Sequence, residues 1–316
     1  MTVRATRLDW LIFLALGFMW GSSYLFIKIG VETLTPFTLI ALRLGIGLTV
    51  LATVVAVARE PLPRSARMYG HLIVMSIVSV ALPFFLITYA EQSTGSALAA
   101  IFGASVPLFV IVIAAVFLRD EPITVNRLAG LAIGFAGVVI LVSPSLGAAM
   151  SGSNPLGEIA LIGASFSYAA GGVYARRNVH ELRPMIASVF QVGFAFIITG
   201  ALALLLERPF ETDVRADTVI SVLWLGILGS GLAYLAFFRL LGRWGATRTS
   251  LVAYLLPVVG IVLGVLVLSE QMDARILLGT ALVIGGVALV NSRYGQRRLF
   301  GRGETETVAE VAEPRP

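Results

Sequence analysis

Arg43 stands alone in an apolar run, ALRLGIG, with Glu32 and Arg59 the nearest charges on either side. Upstream, Trp20 and Tyr24 are four residues apart with Ser23 beside them, so one helical face would carry all three. These residue types recognise rather than react: a guanidinium pairs with a carboxylate or phosphate, while aromatic faces and hydroxyls hold an apolar or zwitterionic body. With Tyr168, Tyr234 and Tyr254, Trp20 and Tyr24 could form an amphipathic cage for a small zwitterion or amphiphile. The alternative is that these rings are core or lipid-facing aromatics. Ser105 and Gln191 are further candidate hydrogen-bonding groups, although membrane helices also use such side chains between themselves. Glu91 is a candidate coupling group, because a poorly hydrated carboxyl holds its proton more tightly; the alternative is an ordinary turn residue.

The inventory argues against catalysis. There is no cysteine, and the two histidines, His71 and His180, have no metal-ligand spacing. No nucleophile and base fall together, so no catalytic residues, metal site or cofactor are expected.

The chain that must hold these residues is too apolar for water. Charged residues make up 13% against roughly 25% in soluble domains, hydrophobic residues reach 58%, and the mean hydropathy is +0.92. A spanning helix needs about 20 mostly apolar residues. Ten such spans are expected at 8–30, 37–58, 70–90, 96–118, 126–143, 157–176, 185–206, 218–240, 247–268 and 274–292. Their apolar runs are continuous, whereas barrel strands alternate, so the expected fold class is all-α and polytopic.

Lys and Arg set the orientation. With a cytoplasmic N-terminus, 18 of the 23 basic residues fall inside, 4 outside (Lys28, Arg208, Arg215 and Arg275), and Arg43 is embedded. This bias accounts for the pI near 9.9 without nucleic acid. The expected partners are membrane lipids and a small-molecule substrate. The location is the inner or plasma membrane with both termini cytoplasmic, and oligomeric state is left open, a monomer included. Residues 293–316 read as a polar, disordered cytoplasmic tail.

The chain also repeats itself. At a shift of 148, Trp20 meets Tyr168, Lys28 meets Arg176, Pro36 meets Pro184 and Arg43 meets Gln191. At 149 to 150, Pro107 meets Pro257, Glu121 meets Glu270, Gly130 meets Gly279 and Gly137 meets Gly286. Five spans per copy is an odd number, so the copies, 8–143 and 157–292, must enter the membrane from opposite sides. Such inverted repeats recur in secondary transporters, with the site near the midplane. Trp20 lies ten residues after Trp10, roughly 15 Å deep. Gly103–Pro107, Tyr168–Gly172, Gly229–Tyr234 and Tyr254–Pro257 fall at the same depth, with Pro107 and Pro257 as helix kinks around a central cavity.

Several individual charges admit two roles. Lys28 reads as an anchoring charge that snorkels to headgroups or as a substrate contact. A buried Arg43 costs at least ~2.5–3.5 kcal/mol unless paired, and its partner could be Glu91, a helix carbonyl or a substrate carboxylate. Glu121 and Glu270 precede the fifth and tenth spans and are expected to cap them.

The series WGSSYLFIK, ALRLGIG, LPFFLITYAEQ, SVPLF and an LRDE–G–G run, echoed by LLPVVG and LSEQ–G–G, resembles the drug/metabolite transporter superfamily, specifically proteins with two EamA-type domains. The resemblance spans about Leu8 to Ser292. It implies two inverted five-helix bundles, alternating access around a central pocket, and efflux of amino acids or other small metabolites. Asp120 and Ser269 stand where the family commonly has glycine before an acidic residue. The first-span glutamate of the superfamily's small multidrug pumps is missing between Leu11 and Ile27. Efflux of drugs or other amphiphilic solutes is the alternative within the class; an intramembrane enzyme is the alternative outside it.

Overall fold

The computed structural model describes residues 6–59, 62–117, 123–150, 155–179, 181–211, 214–290 and 298–300. Among these, seven helical stretches are long and apolar enough to cross a bilayer, and three shorter apolar helices bring the number of spans to ten. They are α1 (Arg7–Gly30), α2 (Pro36–Ala58), α3 (Ala66–Glu91), α4 (Ser96–Ala114), α5 (Val125–Met150), α6 (Leu156–Asn178), α7 (Pro184–Leu206), α8 (Ala216–Leu240), α9 (Val252–Leu268) and α10 (Ala274–Val290). The chain is an all-α polytopic membrane protein.

Local chemistry sets the ends. Thr6 and Asp9 form a reciprocal capping box at the start of α1. Pro36 and Pro184 occupy the first turns of α2 and α7, where a missing N–H is harmless. Asp273 accepts from the amide of Ile276 to open α10, and that bond, with Arg275 beside it, lowers the carboxyl's pKa below its ordinary value. Two boundaries differ most from expectation: α5 runs on past 143 to Met150, and α8 does not end at 240. No loop divides α8 from α9, because helix continues through Thr249 and winds into a tighter 3₁₀ stretch at Ser250–Tyr254. Of the tail, only Arg298–Phe300 is described, and it pairs antiparallel with Ile123–Thr124 rather than standing free.

The spans pack as antiparallel pairs: α2 with α7, α4 with α9, and α5 with α10. Other contacts come as couples: α3–α6 with α8–α1, α2–α8 with α7–α3, and α4–α6 with α9–α1. Exchange each span for the one five places along and these pairs map onto one another. The backbone follows the same rule. Spans α3 and α8 both widen to π-helix midway, at Ile77–Ala81 and Trp224–Leu232, while α4 breaks at Ala104–Ser105 and α9 is entered through the 3₁₀ stretch. Irregular backbone at membrane depth is tolerated where it is buried in protein or lines a cavity.

The α5–α10 pair is drawn together by glycine. A Cβ on Gly137 would lie 2.7 Å from the carbonyl oxygen of Gly279, and one on Gly286 would lie 2.5 Å from that of Gly130. Backbone cannot step aside, so Gly286→Ala must separate the helices. Overpacking of this kind costs ~1–3 kcal/mol, and the thermal midpoint of the detergent-purified variant is expected to fall by several degrees. An unchanged midpoint would refute close packing here.

Candidate functional site

A cavity of about 630 Å³ lies at the depth where the backbone is irregular. Trp20, Ser23, Tyr24, Arg43, Tyr168, Gln191 and Tyr234 all line it, so seven of the nine candidate contact residues converge on one space. Trp20 meets the Tyr234 ring edge-on at 6.4 Å and the Phe237 ring at 5.5 Å. Phe84 meets Tyr168 edge-on at 6.5 Å. Gly103 lets the Tyr24 hydroxyl approach, since a side chain there would collide with it.

Arg43 is 6% exposed. Its Nε donates to Ser230 Oγ at 2.9 Å, and its guanidinium carbon sits 4.2 Å from the centre of the Phe84 ring. Gly229 leaves the room: a Cβ there would stand 3.5 Å from an Arg43 Nη and 2.9 Å from Ser23 Oγ. Of the three partners open to it from sequence, Glu91 is not in contact. Among the described residues no carboxylate comes within ion-pair distance of Arg43; its partners are a neutral hydroxyl and a ring face. Ser230 lies in the widened turn of α8, where helical counting from sequence loses register.

Two candidates fall outside the cavity. The Ser105 hydroxyl donates to the Phe102 carbonyl at 2.6 Å, and Ser165 donates to the same oxygen at 2.8 Å. Ser105 therefore satisfies backbone at the α4 break ahead of Pro107. Tyr254 ends the 3₁₀ stretch, whose three-residue turn brings Val252 and Ala253 to the cavity instead, with Leu256 of the following α-helix beside them. Pro257 follows in the first turn of the α-helical part of α9, Leu255–Leu268. Phe84, Ser79, Ser188, Phe237 and Phe238 also line the space and were not singled out from sequence.

The cavity's lining reaches Arg176, Leu182 and Pro184, on the face where α1 and α3 begin. That placement follows from α6 running antiparallel to α3, with the Tyr174 hydroxyl 2.7 Å from His71 Nδ1 near the start of α3. The opposite face, where Lys28 lies, is laced shut. Glu270, at the end of α9, accepts from the amides of Ser96 (2.6 Å) and Ala97 (3.0 Å) and from the Ser96 hydroxyl. Glu270 thus caps α4 and not α10 as expected; its fold-back places it over the helix α9 packs against. Glu121 and the Arg248 side chain lie outside the described residues. Glu207 does the same for α2, accepting from the amides of Phe37 (3.0 Å) and Thr38 (2.8 Å). Thr33 with Thr218, and Arg215 with Glu32 at 3.1 Å, add to this face.

Beneath this layer lies Glu91, the last residue of α3, fully buried and not part of the cavity wall. Neither carboxyl oxygen has a hydrogen-bond partner among the described residues. It is not a turn residue at the surface. Lys28 does not snorkel either: its ammonium donates to the carbonyls of Glu91 at 2.6 Å and Thr94 at 2.9 Å.

Residues 9–143 and 155–292 each match the EamA-like transporter family. A probable amino-acid metabolite efflux pump of Escherichia coli (strain K12) is 26% identical over 89% of this chain and 94% of its own length. An uncharacterized inner membrane transporter of the same organism, YedA, is 29% identical over 87% and 88%. A WAT1-related chloroplastic protein of Arabidopsis thaliana is 27% identical over 92% and 71%. A solved crystal structure superposes with a TM-score of 0.64 at 20% identity, covering 90% of this chain and 99% of that one, and so shares its fold. Both copies of the repeated segment therefore match one description, and the chain belongs to the EamA-like transporter family: it is a membrane transporter, not an enzyme.

Proposed function

We propose that the protein exports amino acids or closely related small metabolites from the cytoplasm by alternating access. The observation that carries this reading is Arg43: a buried guanidinium with no carboxylate partner among the described residues, facing a cavity walled by aromatic rings. A substrate carboxylate would complete the guanidinium's unused donors, and Trp20, Tyr168 and Tyr234 would hold an apolar side chain. The name of the efflux-pump relative is consistent with this class. The cavity reaches the face on which most of the arginines fall, which the positive-inside rule makes cytoplasmic. A cytoplasmic substrate could therefore enter in the state described here. The exchange symmetry of the packing supports two inverted five-helix halves, 8–143 and 157–292, rocking about the site.

Cavity size favours a second reading. A volume of about 630 Å³ lies within the ~300–1,000 Å³ typical of sites for drug-sized ligands, so an amphiphilic solute larger than one amino acid would fit. Counterflow in proteoliposomes separates the two. Radiolabelled L-leucine or L-phenylalanine should enter vesicles preloaded with the unlabelled amino acid, and the Trp20→Ala, Tyr168→Ala double variant should lose most of that uptake. No counterflow of either, with stabilisation by an amphiphilic cation lacking a carboxylate, would replace the first reading by the second.

A further inference from the structure

We propose that Glu91 is a proton-binding site whose occupancy governs the seal on the Lys28 face and so couples substrate movement to a proton gradient. The inference rests on the transport reading above. Glu91 is 0% exposed, and both oxygens lack a donor among the described residues. A buried carboxylate without partners is strongly disfavoured, and either a proton or a cation must relieve it. The surroundings select the proton. A metal ion would need neighbouring oxygens, yet the adjacent carbonyls of Glu91 and Thr94 are already held by the Lys28 ammonium.

Glu91 is placed between the two working parts of the molecule. On the cavity side it faces Tyr24 and Arg43 electrostatically, and on the sealed side Lys28 and Glu270. Gly157 of α6 packs against Ala90 and Thr94, so Glu158 is the charged residue of that helix next in sequence to the contact. The turn between Glu91 and Ser96 is what the seal grips: Lys28 holds its carbonyls and Glu270 its first helical amides.

With Glu91 neutral, Lys28 stays on the carbonyls and Glu270 remains the one anion at the α4 cap. When the proton leaves Glu91 the carboxylate competes for the Lys28 ammonium and repels Glu270. Both effects loosen the Glu91–Ser96 turn. Arg43 feels the same charge from the other side, so a substrate carboxylate on Arg43 and the carboxylate of Glu91 disfavour one another. Substrate binding and deprotonation then alternate.

Two measurements test this on the full-length protein. In proteoliposomes, L-phenylalanine accumulation by wild type should rise up to about tenfold under a gradient of about one pH unit. Glu91→Gln should keep counterflow but respond to no gradient. An unchanged gradient response in Glu91→Gln would overturn the proposal. The second measurement needs no substrate. Difference infrared spectra of the purified protein should contain a protonated-carboxyl band that titrates with pH, vanishes in Glu91→Gln and shifts in Glu91→Asp. Spectra identical in wild type and both variants would also overturn it. If wild type moves neither leucine nor phenylalanine, the substrate reading fails alone, and the infrared titration still decides Glu91.

Discussion

Replacing Arg43 with glutamine is expected to abolish stabilisation by carboxylate-bearing substrates while leaving the protein inserted and folded. Among the described residues Arg43 has one hydrogen bond, to Ser230, and one ring contact, with Phe84. A guanidinium carries five N–H donors, so most of its capacity faces the cavity. Hydrogen bonds to charged groups contribute ~1.5–3 kcal/mol each. Losing one or two should weaken binding by at least about tenfold. Glutamine keeps a donor for Ser230, and removing the charge relieves an insertion penalty of ~2.5–3.5 kcal/mol. Thermal-shift titration with L-leucine and L-phenylalanine reads this directly. Removing the carboxylate from the ligand should mimic the mutation: phenethylamine should stabilise neither wild type nor variant. If the variant fails to insert, or binds the amino acids as wild type does, Arg43 is a structural residue and the substrate assignment falls.

Most of the scaffold could be read from the chain because lipid leaves few options. Backbone groups must be satisfied within each helix, so long apolar runs such as Pro184–Leu206 can be little else. The pairing of Pro107 with Pro257 at near-constant shift likewise anticipated the matched irregularities in α4 and α9, whereas no pairing pointed to the π stretches of α3 and α8. What sequence could not give was register past those irregularities. A π stretch inserts an extra residue per turn and a 3₁₀ stretch removes part of one, so positions beyond them rotate. Ser230 turned toward Arg43 and Tyr254 turned off the cavity wall for this reason. Glu207 offered a signal that went unused: it ends the charge-free run Pro184–Leu206 and immediately precedes Arg208, which reads as an interfacial pair. Its actual partner is the N-terminus of α2, 170 residues back in the chain. Only the antiparallel packing of α2 on α7 brings that helix start to it.

That packing yields the second large effect. Glu207 and Glu270 both come from the second half of the chain, and each caps a helix of the first half, on the face away from the cavity's reach. A helix start presents unsatisfied amides and a partial positive charge, so a carboxylate there is strongly preferred. Losing a cap costs ~0.5–2 kcal/mol, and losing two should shift the balance of closed over open by about fivefold to nearly a thousandfold. Because the bonds join the halves and not the spans of one half, that shift opens a path and leaves each half folded. The chain has no cysteine, so the substitution Ile87→Cys, at the sealed end of the cavity, introduces a single thiol that reports access cleanly. In the Glu207→Gln, Glu270→Gln background, an impermeant maleimide should label that thiol at least about fivefold faster from the Lys28 face. Labelling from the opposite face should slow in step, since a molecule open on one side is closed on the other. Acceleration from both faces together would mean that the carboxylates only hold the fold. Opposite changes on the two faces would identify them as the clasp that one half closes on the other.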